Sequence, residues 1–254
     1  MSKLSETVSE KRKMGNGHFS NILYRGQACS LWGIDSTLDR KEKYITMKNC
    51  YEKIWFAKKL IDSFQDTNLI IPTRKEFHEL VTNNKWGAFP ELPGYEFMAY
   101  LRHHGFPSPL LDWTRSPFIA SFFAFNGDIC SEKVSIFSYM EYLGGGKTWS
   151  DSDPHIHALG PYIKTHKRHH LQQSEYTVCL QTKDRHVVYG SHDEFFKQNI
   201  QGKDVVEMVT IPVTEKQKVL KKLDKMNINS FSLFGTEDAL IETITTRMFE
   251  LENF

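Results

Sequence analysis

The stretch LRHHGFPSPLLDWTRSPFIASFFAF, at positions 101–125, constrains the fold of this chain more than any other. Gly105 suits the position after a helix C terminus, and Pro107 prevents the helix from continuing. Pro109 restricts the residue before it to extended geometry, so the apolar residues that follow predict a short strand. The stretch therefore predicts a helix, a turn and a strand in close succession.

The strand of this stretch is predicted to end at Thr114 and to run almost directly into a second helix. Ser116 fits the N-cap position of that helix and Pro117 its first helical position. Polar side chains at the junction lie beside the free N–H groups of the helix N terminus, which favour a negatively charged or polar ligand. The alternative is that Thr114 only caps the helix and Trp113 only packs in the core.

Composition narrows the class of protein. The chain has 254 residues and a net charge of +1, from 32 basic and 31 acidic residues, so no global attraction to nucleic acid or to a membrane follows. Its longest apolar run, FIASFFAF, is far too short to cross a bilayer. The four cysteines form no C-x-x-C pair, and no apolar signal segment opens the chain. We therefore expect a cytoplasmic protein without membrane contact, in a compartment that keeps thiols reduced.

The order of predicted elements indicates the fold class. Residues 1–17 are polar and predict a flexible tail, and residues 18–254 predict a single domain with a helical insertion at about 41–100. Hydrophobic periodicity predicts helices in the first half and mostly strands in the second. The predicted strands are 19–27, 110–114, 133–142, 175–182, 204–213 and 229–235. This segregation predicts an α+β fold with a mixed or antiparallel sheet.

The segment Tyr24-Arg25-Gly26-Gln27 is the first candidate site, at the end of a predicted strand. An arginine in an apolar stretch must reach solvent or pair with an anion, because burying it unpaired costs too much. Its planar guanidinium suits bidentate binding of phosphate or carboxylate, and the glycine would let a ligand approach the backbone. A purely structural arginine–carboxylate pair is the alternative.

The segment QQSEYTV, at 172–178, is a further candidate. Alternation along an extended chain puts Gln173 and Glu175 on the same face at the start of a strand. The side chain of Glu175 points either to solvent or into a site.

Histidines are the last group of candidates. His104, beside the central strand, is expected to line a site. The group from His155 to His170 is dense, but it lacks metal-ligand spacing and a cysteine pair, so we expect no metal site. The chain also has no P-loop, no G-x-G-x-x-G and no G-x-S-x-G motif.

Three of these stretches together resemble one family. YRGQ, HHGFPSPLLDWTRSPFIASFFAF and QQSEYTV are similar to the motifs of the FRG domain, and LLDWT is the most specific of them. The C-terminal SLFGTEDALIETI is similar to that family's closing segment, although Gly235 departs from its Phe-Pro-Asp pattern.

A more distant resemblance is to ADP-ribosyltransferases of the Arg-Ser-Glu class. Arg25, Thr114 and the Gln173-to-Glu175 triplet occur in the order of that class's three motifs, although Asp-Trp-Thr replaces its Ser-Thr-Ser. The resemblance implies an ADP-ribosyltransferase-like split sheet and NAD as the substrate.

The same resemblance implies roles for individual residues. Arg25 would hold the pyrophosphate, and Glu175 would stabilise the positive charge that develops on the ribose. Thr114 would orient Glu175 or the ribose, Trp113 or Tyr24 would stack on nicotinamide, and Gln173 would orient the acceptor.

We therefore expect a toxin or defence effector that transfers ADP-ribose to a protein or nucleic-acid acceptor. Two alternatives are open. One is NAD glycohydrolysis, in which water replaces the acceptor. The other is a non-catalytic module that binds a nucleotide or a nucleic acid.

Overall fold

The computed structural model of the chain describes residues 19–65, 67–82, 92–142, 155–198 and 203–251, with isolated positions 6, 9 and 10. Apart from those three positions, the predicted flexible tail at 1–17 lies outside the described residues. None of the described helices is long and apolar enough to cross a membrane.

The described strands form one curled antiparallel sheet. They are β1 (Leu23–Gln27), β2 (Leu111–Thr114), β3 (Lys133–Tyr142), β4 (His155–Ala158), β5 (Ser174–Lys183), β6 (His186–Tyr189) and β7 (Lys203–Pro212). Their order across the sheet is β4-β5-β2-β1-β3-β7, and β6 pairs with the far end of β5. The three strands that carry the sequence motifs, β1, β2 and β5, are therefore direct neighbours.

The described α-helices surround this sheet. They are α1 (Met47–Phe64), α2 (Arg74–Thr82), α3 (Tyr95–His103), α4 (Pro117–Asn126), α5 (Arg168–Leu171), α6 (His192–Phe196), α7 (Lys216–Lys225), α8 (Ser230–Phe234) and α9 (Glu237–Thr245). Helices α1 to α3 lie between β1 and β2 in the chain, as the sequence predicted for the helical insertion. Together with the sheet they confirm the α+β class.

Helix α4 begins as the sequence predicts and packs tightly on β1. The Ser116 hydroxyl accepts a hydrogen bond from the Ile119 N–H, and Pro117 occupies the first turn. A Cβ added to Gly26 would lie 1.8 Å from the carbonyl oxygen of Ala120. Gly26 is therefore required by helix packing, whereas the sequence had assigned it to ligand approach.

Strands β1 and β2 meet at a single residue pair, Tyr24 with Thr114. By contrast, β1 pairs with β3 along its full length, and β2 does the same with β5. Beyond the Tyr24–Thr114 pair, β1 and β2 diverge, and the gap between them opens the sheet. This divergence positions the candidate site.

One predicted strand is wrong. Residues 230–234 form helix α8, because Asn229 and Ser232 form a reciprocal capping box and Gly235 ends the helix with a φ of 63°. Strands β4 and β6 and helices α5 and α6, all of them short, were not predicted from the sequence.

The state of the cysteines also differs from expectation. Cys29, just after β1, forms a disulfide with Cys130, just before β3, whereas four reduced thiols were expected. Cys50 and Cys179 are free and buried. The pair was not visible in the sequence, because its members are 101 positions apart and meet only through the β1–β3 pairing.

Candidate functional site

A cavity of about 470 Å³ opens where β1 and β2 diverge; we call it the β1–β2 pocket. Several elements line it: Tyr24 to Gln27 of β1, Asp112 to Thr114 of β2, Arg102 and His103 at the end of α3, Trp32 and Arg40 of the loop after β1, and Phe123 near the end of α4. Gln172 and Ser174, at the start of β5, complete the wall. The YRGQ and LLDWT motifs thus line the pocket directly, and the QQSEYTV motif contributes Gln172 and Ser174 to its wall.

Arg25 is the central cation of the pocket. Its Nη1 donates a hydrogen bond of 2.7 Å to the backbone oxygen of Asp112, across the gap between the strands. Its Nε has no hydrogen-bond partner within the described residues. Burial lowers the pKa of the Arg25 guanidinium to about 10, so the side chain is charged at neutral pH. It therefore keeps donor capacity that the protein does not use.

Two further arginines lie on the same wall. Arg102 forms an ion pair with the carboxylate of Asp112, and its Nη1 lies 3.5 Å from the hydroxyl of Thr37. Burial raises the pKa of the Asp112 carboxyl, but Arg102 and Arg25 outweigh burial and hold that pKa below its ordinary value. Arg40 is exposed and has no carboxylate partner among the described residues. Asp112 is bound by Arg102, and Asp128 is a second carboxylate on the wall. The three arginines still exceed these two aspartates by one charge, which favours an anionic ligand.

The aromatic residues of the pocket differ in what they can offer a ligand. Trp113 is 2% exposed, and its indole N–H donates a hydrogen bond of 2.8 Å to Thr177, whose hydroxyl also contacts His192 at 3.0 Å. Its ring is therefore fixed in the core. Trp32 is 47% exposed and Tyr24 is partly buried, so these two rings present surface for stacking.

Thr114 and Ser116 both bind backbone groups. The Thr114 hydroxyl donates to the carbonyl oxygen of Gln172 at 2.7 Å and accepts from the Ser116 N–H at 3.2 Å. It thereby ties the end of β2 to the start of β5. Ser116 caps α4, and the part of α4 that lines the pocket is its C-terminal half, at Phe123. The expected anion site at the N terminus of this helix is therefore not part of the pocket.

Glu175 lies beside the pocket. It pairs with Trp113 across β5 and β2, its side chain is 6% exposed, and its Oε1 lies 3.6 Å from Nε of Arg115. Burial raises the pKa of its carboxyl, and Arg115 opposes that shift. Glu175 itself does not line the cavity, whereas the preceding Ser174 does. Gln173 is exposed, with a φ of 48°, and its carbonyl accepts from the backbone N–H of Arg115.

His103, and not its neighbour His104, lines the pocket. Its Nε2 lies 2.9 Å from the hydroxyl of Tyr176, and burial lowers its pKa to about 4, so the ring is neutral at pH 7. His104 lies in a separate apolar groove beside Leu60 and Phe64. Within the described residues, no group of histidine, cysteine, aspartate and glutamate side chains is arranged to hold a metal ion.

Several side chains of the pocket were not predicted from the sequence, among them Trp32, Arg40, Arg102, His103, Phe123 and Asp128. Arg102 and His103 end the helix that leads into the 101–125 stretch, so the segment RHHG could have indicated that they lie at the site. Trp32 and Arg40 come from a loop without hydrophobic periodicity, and no pattern in the sequence places them at the pocket.

Comparison with known proteins identifies one family. The model of the FRG domain matches residues 20–133, which run from the strand that carries Arg25 to the first residue of β3. No curated protein and no solved structure matches the chain. The matched region contains both strands that open the β1–β2 pocket, and it ends before Glu175.

Proposed function

Given that this chain carries an FRG domain, we propose that it is an NAD-dependent ADP-ribosyltransferase that binds NAD in the β1–β2 pocket. The observation that carries the proposal is the alignment of three motif residues across three neighbouring strands. Arg25 and Trp113 each lie one residue from the Tyr24–Thr114 pair, and Trp113 pairs directly with Glu175. Thr114 belongs to the paired row Tyr24–Thr114–Ser174 across β1, β2 and β5, and Arg25 and Glu175 each lie one residue from that row, an arrangement that supports an ADP-ribosyltransferase-like sheet.

The chemistry of the pocket walls supports a dinucleotide substrate. A pyrophosphate needs cations on the wall: Arg25 has an Nε without a partner among the described residues, and Arg40 is exposed at the cavity. A nicotinamide or adenine ring needs an aromatic surface, and Tyr24 and Trp32 provide one at the cavity. The volume of about 470 Å³ lies in the range of ordinary ligand pockets.

The proposed reaction exchanges one bond for another at the ribose. The bond between nicotinamide and C1′ of the ribose breaks, and nicotinamide leaves with the electron pair. The acceptor nucleophile forms the new bond to C1′ and releases its proton to solvent. The positive charge that develops on the ribose in between is the charge that an ionised carboxylate at Glu175 would stabilise.

Glu175 would have to turn toward the pocket for this role. Its present neighbour, Arg115, is about half exposed and lies 3.6 Å away, so the contact is a weak ion pair that a substrate can displace. Gln173 is exposed two residues earlier and would meet the acceptor from the solvent side.

One observation favours a second candidate function, a non-catalytic nucleotide-binding module. The Thr114 hydroxyl is already bound to the backbone, and Glu175 does not line the cavity. A pocket that only binds a nucleotide needs the arginines and aromatic rings but no carboxylate. The two candidates differ in whether NAD is consumed.

The test measures release of nicotinamide and transfer of label from NAD. The variants Glu175→Gln and Arg25→Lys are compared with two matched controls, Glu79→Gln on α2 and Arg185→Lys in the β5–β6 turn. The proposal predicts turnover in the unmodified protein, a loss of at least about 100-fold in Glu175→Gln and normal turnover in both controls. Nicotinamide release without label transfer would identify a glycohydrolase. A rise in melting temperature with NAD, in the absence of turnover, would identify the binding module.

A further inference from the structure

The segment 161–171, PYIKTHKRHHL, is rich in basic residues and histidines; we call it the basic segment. It contains Lys164, Lys167, Arg168 and three histidines, but no aspartate or glutamate. Tyr162 within it is 94% exposed. Because the whole chain carries a net charge of only +1, this is a local concentration of positive charge.

The cations of the basic segment have no carboxylate partners among the described residues. Lysines elsewhere on the surface do, for example Lys53 with Glu42 at 2.8 Å and Lys218 with Glu215 at 2.8 Å. One carboxylate reaches the segment, that of Glu96, and it accepts from the backbone N–H of Lys164. The charges of Lys164 and Lys167 are therefore available to a partner, whereas Arg168 is partly buried and lies over the ring of Phe234.

Buried contacts hold the basic segment in place from beneath. His169 is 1% exposed, stacks on Tyr176 with ring centroids 5.7 Å apart, and donates through Nε2 to the carbonyl oxygen of Pro161 at 2.8 Å. Ile163 packs against the apolar cluster beneath the segment. Anchoring of this kind reduces the entropy lost when the exposed side chains bind a partner.

The basic segment also borders the proposed active site. It leads through Gln172 and Gln173 into β5, which carries Glu175. His169 of the segment stacks on Tyr176, whose hydroxyl lies 2.9 Å from Nε2 of His103 on the pocket wall, and Gln172 lines the pocket itself. A macromolecule bound along the segment would therefore reach the edge of the β1–β2 pocket.

We propose that the basic segment binds single-stranded nucleic acid and presents it as the acceptor for ADP-ribose. Unpaired cations interleaved with an exposed aromatic ring suit this partner, because lysines neutralise phosphates and a base stacks on the ring. An acidic protein would use the cations but would gain little from Tyr162. The acceptor role rests on the proposed transferase function, whereas the binding itself does not.

The first test measures binding without NAD. Fluorescence anisotropy of a labelled single-stranded RNA and of a DNA of the same sequence is recorded over a range of salt concentrations. The double variant Lys164→Gln/Lys167→Gln is expected to reduce the salt slope by about 1.4, at roughly 0.7 per phosphate contact. Tyr162→Ala is expected to weaken binding about 5- to 100-fold. The matched control Lys53→Gln/Lys218→Gln removes two paired surface lysines and is expected to bind normally.

Three results would overturn the proposal. The first is that neither oligonucleotide binds, and the second is that the Lys164→Gln/Lys167→Gln variant binds as tightly as the unmodified protein. The third is that polyglutamate binds as tightly as the oligonucleotides and that Tyr162→Ala does not weaken oligonucleotide binding. The last would assign the surface to an acidic protein.

The second test adds labelled NAD to the bound oligonucleotide. Label is expected on the nucleic acid, and Lys164→Gln/Lys167→Gln is expected to abolish this labelling while NAD raises the melting temperature as much as in the unmodified protein. Oligonucleotide binding without any nicotinamide release would refute the proposed function but not the binding. Nicotinamide release with bound but unlabelled nucleic acid would refute the acceptor role.

Discussion

Two groups of cations in this molecule are held in different ways. Arg25 and Arg102 of the β1–β2 pocket are held by hydrogen bonds and an ion pair to Asp112, between strands and a helix. Lys164 and Lys167 of the basic segment are exposed, on flexible stems, and without carboxylate partners in the described part of the chain. The first group belongs to the packing of the fold, whereas the second lies on its surface.

This difference teaches what each group can recognise. Cations fixed in position before binding suit a small ligand whose charges are at fixed distances. Exposed lysines suit a polyanion, in which any of several phosphates can meet each ammonium group. The difference also predicts the effect of substitutions on the free energy of unfolding. A substitution at the pocket should lower it, and a substitution at the basic segment should not.

The largest effect is expected from Gly26→Ala at the pocket wall. The new Cβ would lie 1.8 Å from the oxygen of Ala120 and 2.7 Å from the nitrogen of Ala124, so helix α4 must move away from β1. We expect a loss of about 3 kcal/mol or more in the free energy of unfolding, measured by urea denaturation. Gly105→Ala is the control: it has open space but a φ of 83°, so about 1 kcal/mol is expected. Equal losses in the two variants would mean that α4 does not pack on β1 as described.

The second effect is expected from Thr114→Val. The substitution leaves the buried carbonyl of Gln172 and the N–H of Ser116 without their shared partner, at a cost of about 2 kcal/mol. Thr114→Ser keeps the hydroxyl and should recover most of this stability. If Thr114→Val unfolds at the same urea concentration as the unmodified protein but loses NAD turnover, Thr114 belongs to catalysis and not to the packing.

A smaller, pH-dependent effect is expected from Asp112→Asn. Because the folded-state pKa of Asp112 lies below its ordinary value, its ion pair stabilises the protein above the unfolded pKa of about 3.9 and is lost as pH falls through the folded pKa. Since its side chain is 37% exposed, we expect the variant to be less stable by only about 1–2 kcal/mol at pH 7.

The measurement for Asp112→Asn is urea denaturation of both proteins from pH 7 down to pH 3. The difference should shrink at the acid end. Glu42→Gln, at an exposed pair with Lys53, should change stability by less than about 0.5 kcal/mol throughout. A difference for Asp112→Asn that stays constant with pH would show that its charge does not stabilise the pocket.

The smallest effect on stability is expected from Lys167→Ala in the basic segment. The side chain is exposed and has no ion-pair partner among the residues that the structure describes, so the change should lie within about 0.5 kcal/mol. Binding of NAD, followed by thermal shift, should also stay unchanged. A clear loss of stability would remove the distinction between the two groups of cations.

Local chemistry made part of this fold predictable. Helix α4 follows from Ser116 and Pro117, and strand β3 from the β-rich segment 133–142, which the structure reproduces residue for residue. The strand predicted at 229–235 is wrong because the apolar and polar residues there alternate as in a strand although the segment is a helix. Asn229 and Gly235 cap the two ends of this segment and stabilise it as a helix.

The candidate site was predictable only where a motif marks it. Arg25 and Thr114 line one pocket as their motifs suggested, but the partners of Thr114 are backbone atoms whose position no sequence pattern encodes. Trp32 and Arg40 reach the pocket from an irregular loop. The divergence of β1 and β2, which creates the cavity, depends on the register of three strands separated by long intervals.

The disulfide between Cys29 and Cys130 has a topological consequence. It converts the intervening chain, with α1 to α4 and β2, into a covalent ring that coincides with most of the FRG match at 20–133. One proteolytic cut within this ring leaves both fragments joined until a reductant is added. The ring can therefore be opened at a surface loop to create new chain ends, while the strands that frame the pocket stay linked.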